Sequence, residues 1–551
     1  MKSKLIITLL SIFSLATAQD VIRGPYLQNP TANSIVIKWR TDVATTSRVQ
    51  FGTNLSSLTQ TASDLTPKTN HRVVINGLQP YTIYYYQVGD QTKFFNTASL
   101  DYRFKTFPAP GASLSTRIWV IGDFGKANTR QSSVRDAFVN YDTDEKTDLW
   151  LWLGDNAYSD GTDAEYQQRV FDSLYGYKNL LRKMHFHPTP GNHDYNSFSP
   201  LTNTVHPDNQ SGTYLDVIDV PMNGENGGVA SGKKLFYSFD YGDIHFVSIN
   251  TELASLSNGS HDWLGMNAGS NFNTSPMKLW LEQDLAANTK HWTVLYLHQP
   301  PHSAGSHVSA SPIEVVMRTV REKWAPIFEQ YGVDLVLAGH SHVYERSLLM
   351  NGYFGNGTTV DSTKILDKGN GSLANGTPYR KHLNGPNGGK GTVYIVSGNG
   401  GSSSSNPPLN HAIMVSKDGC SECLGSLVID VNRDTLTSRY LKANGTIGDE
   451  FTIIKTVFPN SIQNVINKDV AFKLYPNPTN SELSIEVVSK NSFTIEVTDI
   501  KGKSIWKKSN EASDFFKETI QLKNLGATSG SYLVSLCDSN GQCKTEKVVL
   551  R

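Results

Sequence analysis

The strongest constraint on this chain lies between residues 116 and 397, where short apolar runs each stop on Gly, Asn, Asp or His. The runs are Trp119-Val120-Ile121, Leu149 to Leu153, Phe246-Val247-Ser248-Ile249, Val294 to Leu297, Leu335-Val336-Leu337 and Val393 to Val396. They are too short for helices and apolar throughout, which describes strands buried on both faces. Helical patterning occupies the stretches between them, Ser132 to Tyr141, Ala164 to Met184 and Ile313 to Tyr331. Strands alternating with helices predict an α/β core over 116–455, and cores of this kind place their sites at strand ends. Two Gly/Asn-rich interruptions, 222–233 and 351–390, read as surface loops over the site or at its rim.

The flanks follow a different pattern. At 551 residues the chain is long enough for three or four domains. Before residue 108, short alternating blocks such as Ser34 to Trp39, His71 to Ile75 and Thr82 to Val88 are separated by turn residues, as in a β-sandwich. Trp39 and the run LQPYTIYYYQV resemble a fibronectin type III module over 19–108, and Pro108-Ala109-Pro110-Gly111-Ala112 forms a stiff linker after it. From Leu474 the alternation returns and predicts a second small β-sandwich over 471–551. Charged residues make up only 18% of the chain, and Lys plus Arg (50) equals Asp plus Glu (50). That balance argues against nucleic acid or another polyanion as the partner.

The first residues carry Lys2 and Lys4, an apolar run from Leu5 to Leu15, and Ala16-Thr17-Ala18. A basic start, a run too short to span a bilayer and a small-x-small end describe a secretory signal peptide over 1–18, with no transmembrane segment left after cleavage. Outside the cytosol the four cysteines read as disulfides. Cys537 and Cys543 flank Ser539-Asn540-Gly541, a hairpin turn that would set them opposite each other as a local clip. A redox pair is the rival reading of Cys420 and Cys423. The opening YPNP, the turn Lys501-Gly502-Lys503, the strand Gly530-Ser531-Tyr532 and the basic C-terminus resemble a type IX secretion system sorting domain. The resemblance implies a partner, the type IX machinery, and a location outside a diderm bacterium or on its surface. The alternative is a carbohydrate- or surface-binding β-module.

Five strand ends bear oxygen or imidazole donors: Gly122-Asp123-Phe124-Gly125, Gly154-Asp155-Asn156-Ala157-Tyr158, Gly191-Asn192-His193-Asp194, Leu295-Tyr296-Leu297-His298 and Gly339-His340-Ser341-His342. Singly each reads as a turn or a satisfied polar residue. In this order they resemble the purple acid phosphatase branch of the calcineurin-like metallophosphoesterases, whose motifs are GDxG, GDxxY, GNH[D/E], VxxH and GHxH. The fourth motif departs from the family in reading LxxH. The stretch GENGGVASGKKLFYSFDYGDIHFVSINTE, residues 224–252, is similar too.

The resemblance implies a central sandwich of two mixed sheets flanked by helices, and a binuclear centre. By carry-over Asp123, Asp155, Tyr158 and His342 bind one metal, and Asp155, Asn192, His298 and His340 bind the other. Asp155 is then the bridge. A mixed N/O donor set suits first-row metals. A phenol ionises only near pH 10 in water, so Tyr158 as a ligand calls for a strongly acidic cation, Fe(III), beside Zn(II), Fe(II) or Mn(II). Two metals about 3.5–4 Å apart acidify a water and neutralise phosphate charge, so the implied reaction is attack of metal-bound hydroxide on a small phosphate monoester.

In the same family His193 binds substrate, with Asp194 expected to orient it. His307 is the best match for the acid that protonates the leaving alkoxide, and His302 competes with it. Family members often have two adjacent histidines there, whereas this chain has His307-Val308. A secreted acid phosphatase is the reading that follows. Its rivals are a phosphodiesterase or pyrophosphatase on the same centre, and a non-catalytic surface-binding protein. Oligomeric state is not legible in the sequence.

Overall fold

The computed structural model describes residues 20–195, 205–206, 210–252, 271–385, 387–404, 411–420, 422–457, 470–489, 491–500, 502–539 and 543–551. The signal peptide, Lys501 and the Asn540-Gly541 turn lie outside these residues. The chain divides into two compact units, one reaching to residue 456 and the other beginning at 457 and including 384–386.

In the first unit, the N-terminal strands Val21–Gln28, Ser34–Gly52, Gln60–Asn76, Ile83–Gly89 and Arg103–Lys105 form one hydrogen-bonded sheet. Ser34–Gly52 is long enough to serve two halves: its start pairs with Val21–Gln28 and its end with Ile83–Gly89. Irregular register between Arg40 and Ser47 separates the halves, so the ladder of the expected sandwich runs on through one strand. Trp39, Ile37, Phe51, Tyr86 and Phe104 share its core, and Trp39 stacks on His71.

Two seven-stranded mixed sheets follow. One is built outward from the parallel strands Ile244–Ser248, Trp292–Leu297, Leu335–Ala338 and Val393–Ser397. The other has Thr116–Ile121, Thr147–Leu153 and His187–Thr189 in parallel, then Gly425–Asn432, Thr435–Lys442 and Ile447–Thr456 antiparallel. Every one of the six apolar runs lies in a strand, and almost all of their side chains are in one continuous core.

The helices differ from expectation in one place. Thr129–Tyr141 is a single helix, capped by Asn128. The stretch expected from Ala164 to Met184 breaks after Arg169, and only a short turn, Lys178–Leu181, resumes it. Val170 and Phe171 are buried at the break, and a side chain on Gly176 would strike the Val170 and Asp172 carbonyls, so the chain folds back on itself there. Val315 to Gln330 stays helical but widens to a π turn over Val320–Trp324, just before Pro326, whose missing N–H disrupts the regular ladder.

The two interruptions also differ. Residues 222–233 lie along the edge strand Tyr237–Tyr241, where Val229 N–H donates to Asp284 and the Asn226 side chain to the Asp240 carbonyl. Within 351–390, Tyr379–His382 is a strand that pairs in parallel with Ile447–Thr456. Lys381 within it bonds Asp334 at the start of Leu335–Ala338, the end opposite the motif residues. These contacts tie part of each interruption to a sheet edge or a strand start.

The second unit stacks a three-stranded sheet, Val470–Tyr475, Glu482–Ser489 and Ser513–Gln521, with a four-stranded one, Phe493–Asp499, Ser504–Asn510, Gly530–Asp538 and Cys543–Leu550. Leu483, Ile485, Ile495, Val497, Val534 and Val548 fill the space between, as expected for a small β-sandwich. Both cysteine pairs are disulfides, and Cys537 stands directly opposite Cys543 in the ladder.

Candidate metal centre

All five motifs sit at the carboxyl ends of parallel strands, and three of their residues leave the strand with left-handed backbone, Asp123 (φ 55°), Asp155 (φ 54°) and His340 (φ 67°). Such conformations are costly for non-glycine residues and persist where the surroundings impose them. The neighbouring glycines permit the crowding. A Cβ on Gly339 would lie 2.4 Å from Asp123 Oδ2, and one on Gly154 2.5 Å from His298 Nδ1.

The donor atoms gather in two triangles. In the first, Tyr158 Oη lies 3.2 Å from Asp123 Oδ1 and 3.1 Å from His342 Nε2, and these last two are 3.5 Å apart. In the second, Asn192 Oδ1 lies 3.0 Å from both His298 Nε2 and His340 Nδ1, which are 3.2 Å apart. Asp155 stands between them. Its Oδ1 is 3.3 Å from His298 Nε2, and Asp123, Asp155 and His298 can bring their ligand atoms within 4.8 Å of one another. Each triangle takes donors from both sheets: Asp123, Tyr158 and Asn192 follow strands of one, and His298, His340 and His342 follow strands of the other.

The chemistry of this donor set fits cations. Bonds of about 2.1 Å at right angles place neighbouring ligand atoms about 3.0 Å apart, close to the observed spacings. His298 Nδ1–H donates to the Leu153 carbonyl at 2.8 Å, which leaves the Nε2 lone pair facing the Asn192 oxygen. With Nε2 unprotonated, the two are electron-pair donors that a cation between them would join. His342 is braced in the same manner, with Nδ1 3.3 Å from Ser402 Oγ.

The electrostatics agree. Burial opposes the charge of Asp155, yet His298 and His193 beside it hold its carboxyl below the usual range. Burial, then Asp155 and Asp123, push the Tyr158 phenol well above its ordinary value. Only a strong local cation would draw a phenolate from it.

Residues 116–344 match the family Calcineurin-like phosphoesterase, and residues 25–106 match Purple acid Phosphatase, N-terminal domain. Over these two stretches the chain is similar to purple acid phosphatase-like metallophosphoesterases. Residues 473–551 of this chain match a Secretion system C-terminal sorting domain, which assigns it to the outside or the surface of a diderm bacterium. Among the described residues no helix is long and apolar enough to cross a membrane.

The chain is 27% identical over 302 residues to purple acid phosphatase 15 of Arabidopsis thaliana, covering 50% of this chain and 49% of the plant protein. It thus spans about half the length of that relative. It is 25% identical over 408 residues to acid phosphatase type 7 of Mus musculus, covering 69% of this chain and 78% of the mouse protein. In fold it is similar to a purple acid phosphatase from yellow lupin (Lupinus luteus) seeds, with a TM-score of 0.57 and 21% identity over 79% of this chain and 75% of the lupin chain.

The other expected residues are also located in the structure. His193 is beside the cluster, its ring 4.2 Å from that of Tyr158 and its Nε2 3.9 Å from Asp155 Oδ2. Its Nδ1 is held by the Ser159 carbonyl at 2.6 Å, not by Asp194 as expected. The Asp194 carboxylate instead accepts from Tyr166 Oη, Gly191 N and both nitrogens of Asn156, and so braces the second and third motifs against each other. Its geometry is turned inward because it is fully buried.

His307 lies with its ring 4.0 Å from that of His340, and its Nδ1 is 2.8 Å from Glu314 Oε1. His302 is fully buried among Tyr353, Tyr394 and His411. Glu314, Ser402 and Lys126 at the site went unnoticed in the sequence. Lys126 directly follows the first motif, but Ser402 lies in a run of serines with nothing to mark it.

Proposed function

We propose that this protein is a secreted acid phosphatase that hydrolyses small phosphate monoesters. The two donor triangles on either side of Asp155 carry the reading. Asp123, Tyr158 and His342 would hold one ion and Asn192, His298 and His340 the other, with Asp155 shared. The buried phenol favours Fe(III) at the first position, and the nitrogen-rich second set suits Zn(II), Fe(II) or Mn(II). When bound, such a pair supplies Lewis acidity, an acidified water and positive charge for the phosphate.

The chain's own residues complete the reaction. His193, with Nδ1 tied to the Ser159 carbonyl, presents Nε2 toward Asp155 and can donate it to a phosphate oxygen. Glu314 engages Nδ1 of His307, which leaves Nε2 of that ring to deliver a proton to the departing alkoxide. Asp194 holds the third motif in place. We read the domains as 19–108, 116–455 and 471–551, the last serving the type IX secretion machinery.

Metal analysis of the purified chain, with rates on p-nitrophenyl phosphate and on bis-p-nitrophenyl phosphate, tests the proposal. Two metals per chain and a monoester preference are expected. Monoester turnover that persists undiminished in His340→Ala overturns it.

A further inference from the structure

The ammonium of Lys126 sits 3.0 Å from the centroid of the Tyr158 ring. This is a close cation–π contact on the one aromatic ring whose hydroxyl belongs to the donor cluster. Its placement is built into the fold. The backbone N–H groups of Lys126 and Ala127 both donate to Oε1 of Gln131, which is fully buried. Nε2 of the same Gln131 donates to the Arg169 carbonyl, and Arg169 Nε donates to the Tyr158 carbonyl. One brace therefore fixes the loop bearing Lys126 and the backbone bearing Tyr158.

We infer that Lys126 is a positioning charge that tunes Tyr158 as an electron donor to the first metal. This rests on the Fe(III)–tyrosine part of the proposed function. The donor electrons of a phenolate spread over the whole ring, so a positive charge above its face lowers their energy. A phenolate held in this way transfers charge to iron at higher energy, and its absorption band lies at shorter wavelength. Removing the charge moves the band to longer wavelength.

The test uses the full chain with its native metals. Visible spectra and iron content are compared for wild type, Lys126→Met, Lys126→Gln and Lys126→Arg at mildly acidic pH. The expected result is a band in the wild type, a shift of some tens of nanometres to longer wavelength in both neutral variants, and the wild-type position in Lys126→Arg. If Lys126→Met folds poorly, Lys126→Gln carries the comparison. Iron lost from both neutral variants but kept by Lys126→Arg supports the same dependence on charge. An unmoved band in the neutral variants at full iron content overturns the role of Lys126 and leaves the phosphatase reading intact. A wild type with no band sensitive to Tyr158→Phe removes the iron–tyrosine reading, and this inference with it.

Discussion

Nε2 of His298 and Nδ1 of His340 face each other at 3.2 Å, with Asn192 Oδ1 3.0 Å from each. The Leu153 carbonyl takes the Nδ1 proton of His298 and turns Nε2 toward the other two atoms. A cation bound between the three would fit this spacing.

The Asp194 brace separates structure from chemistry. Asp194→Ala strips the acceptor from Tyr166, Gly191 and Asn156, all buried, and should lower stability by about 3 kcal/mol or more. Metal content should fall with it. His193→Asn should instead lose turnover while keeping its metals. Denaturant titration alongside metal analysis of the two variants checks both outcomes.

Glu314→Gln should act only where the leaving group needs a proton. Turnover of alkyl phosphates is expected to fall roughly 10–100-fold, while p-nitrophenyl phosphate, whose leaving group is a good one, should change little. Equal losses on both substrates would show that Glu314 merely supports the loop.

Away from the centre, His245 bonds Asp240 through Nδ1 at 2.7 Å and Asp284 through Nε2 at 2.8 Å, with Lys290 Nζ 3.4 Å from Asp240. Burial opposes its charge, but the bonds to Asp240 and Asp284 outweigh it and push the imidazole up to about 9. The folded state thus binds the proton more tightly than the unfolded chain. Its stabilisation is complete below the ordinary value of about 6.5 and disappears as pH rises through about 9, a change on the order of 3 kcal/mol. Urea midpoints across this window should fall for the wild type and stay flatter for His245→Gln.

The clip between Cys537 and Cys543 closes a loop with a sequence separation of 6. Replacing both with serine should cost about 2 kcal/mol in the sorting domain, through freedom regained by the unfolded chain. Unfolding followed at Trp506, which packs on the core of that domain, reads the loss.

The strands and the cluster were legible because apolar runs ending in Gly-Asp, Gly-Asn or Gly-His mark both a buried strand and its exit. What failed was direction. Asp194 follows His193 in the chain, yet its carboxylate turns to Tyr166, whose place opposite it arises only when the helix Asp163–Arg169 docks. Likewise the glycines and asparagines of 351–390 hide the strand Tyr379–His382, whose pairing partner lies some seventy residues later. Ser402 reaches the site through the close approach of a separate loop, which no local pattern records.

The mixing of both sheets in each triangle has a consequence for assembly. The sheets are interleaved along the chain, and the first triangle is not complete until His342 is in place on one sheet and Asp123 on the other. In a partly made or partly folded chain neither triangle would be complete. On the proposed function, ions would be captured only after both layers have closed, which would make the cluster a check on correct folding as well as a site for chemistry.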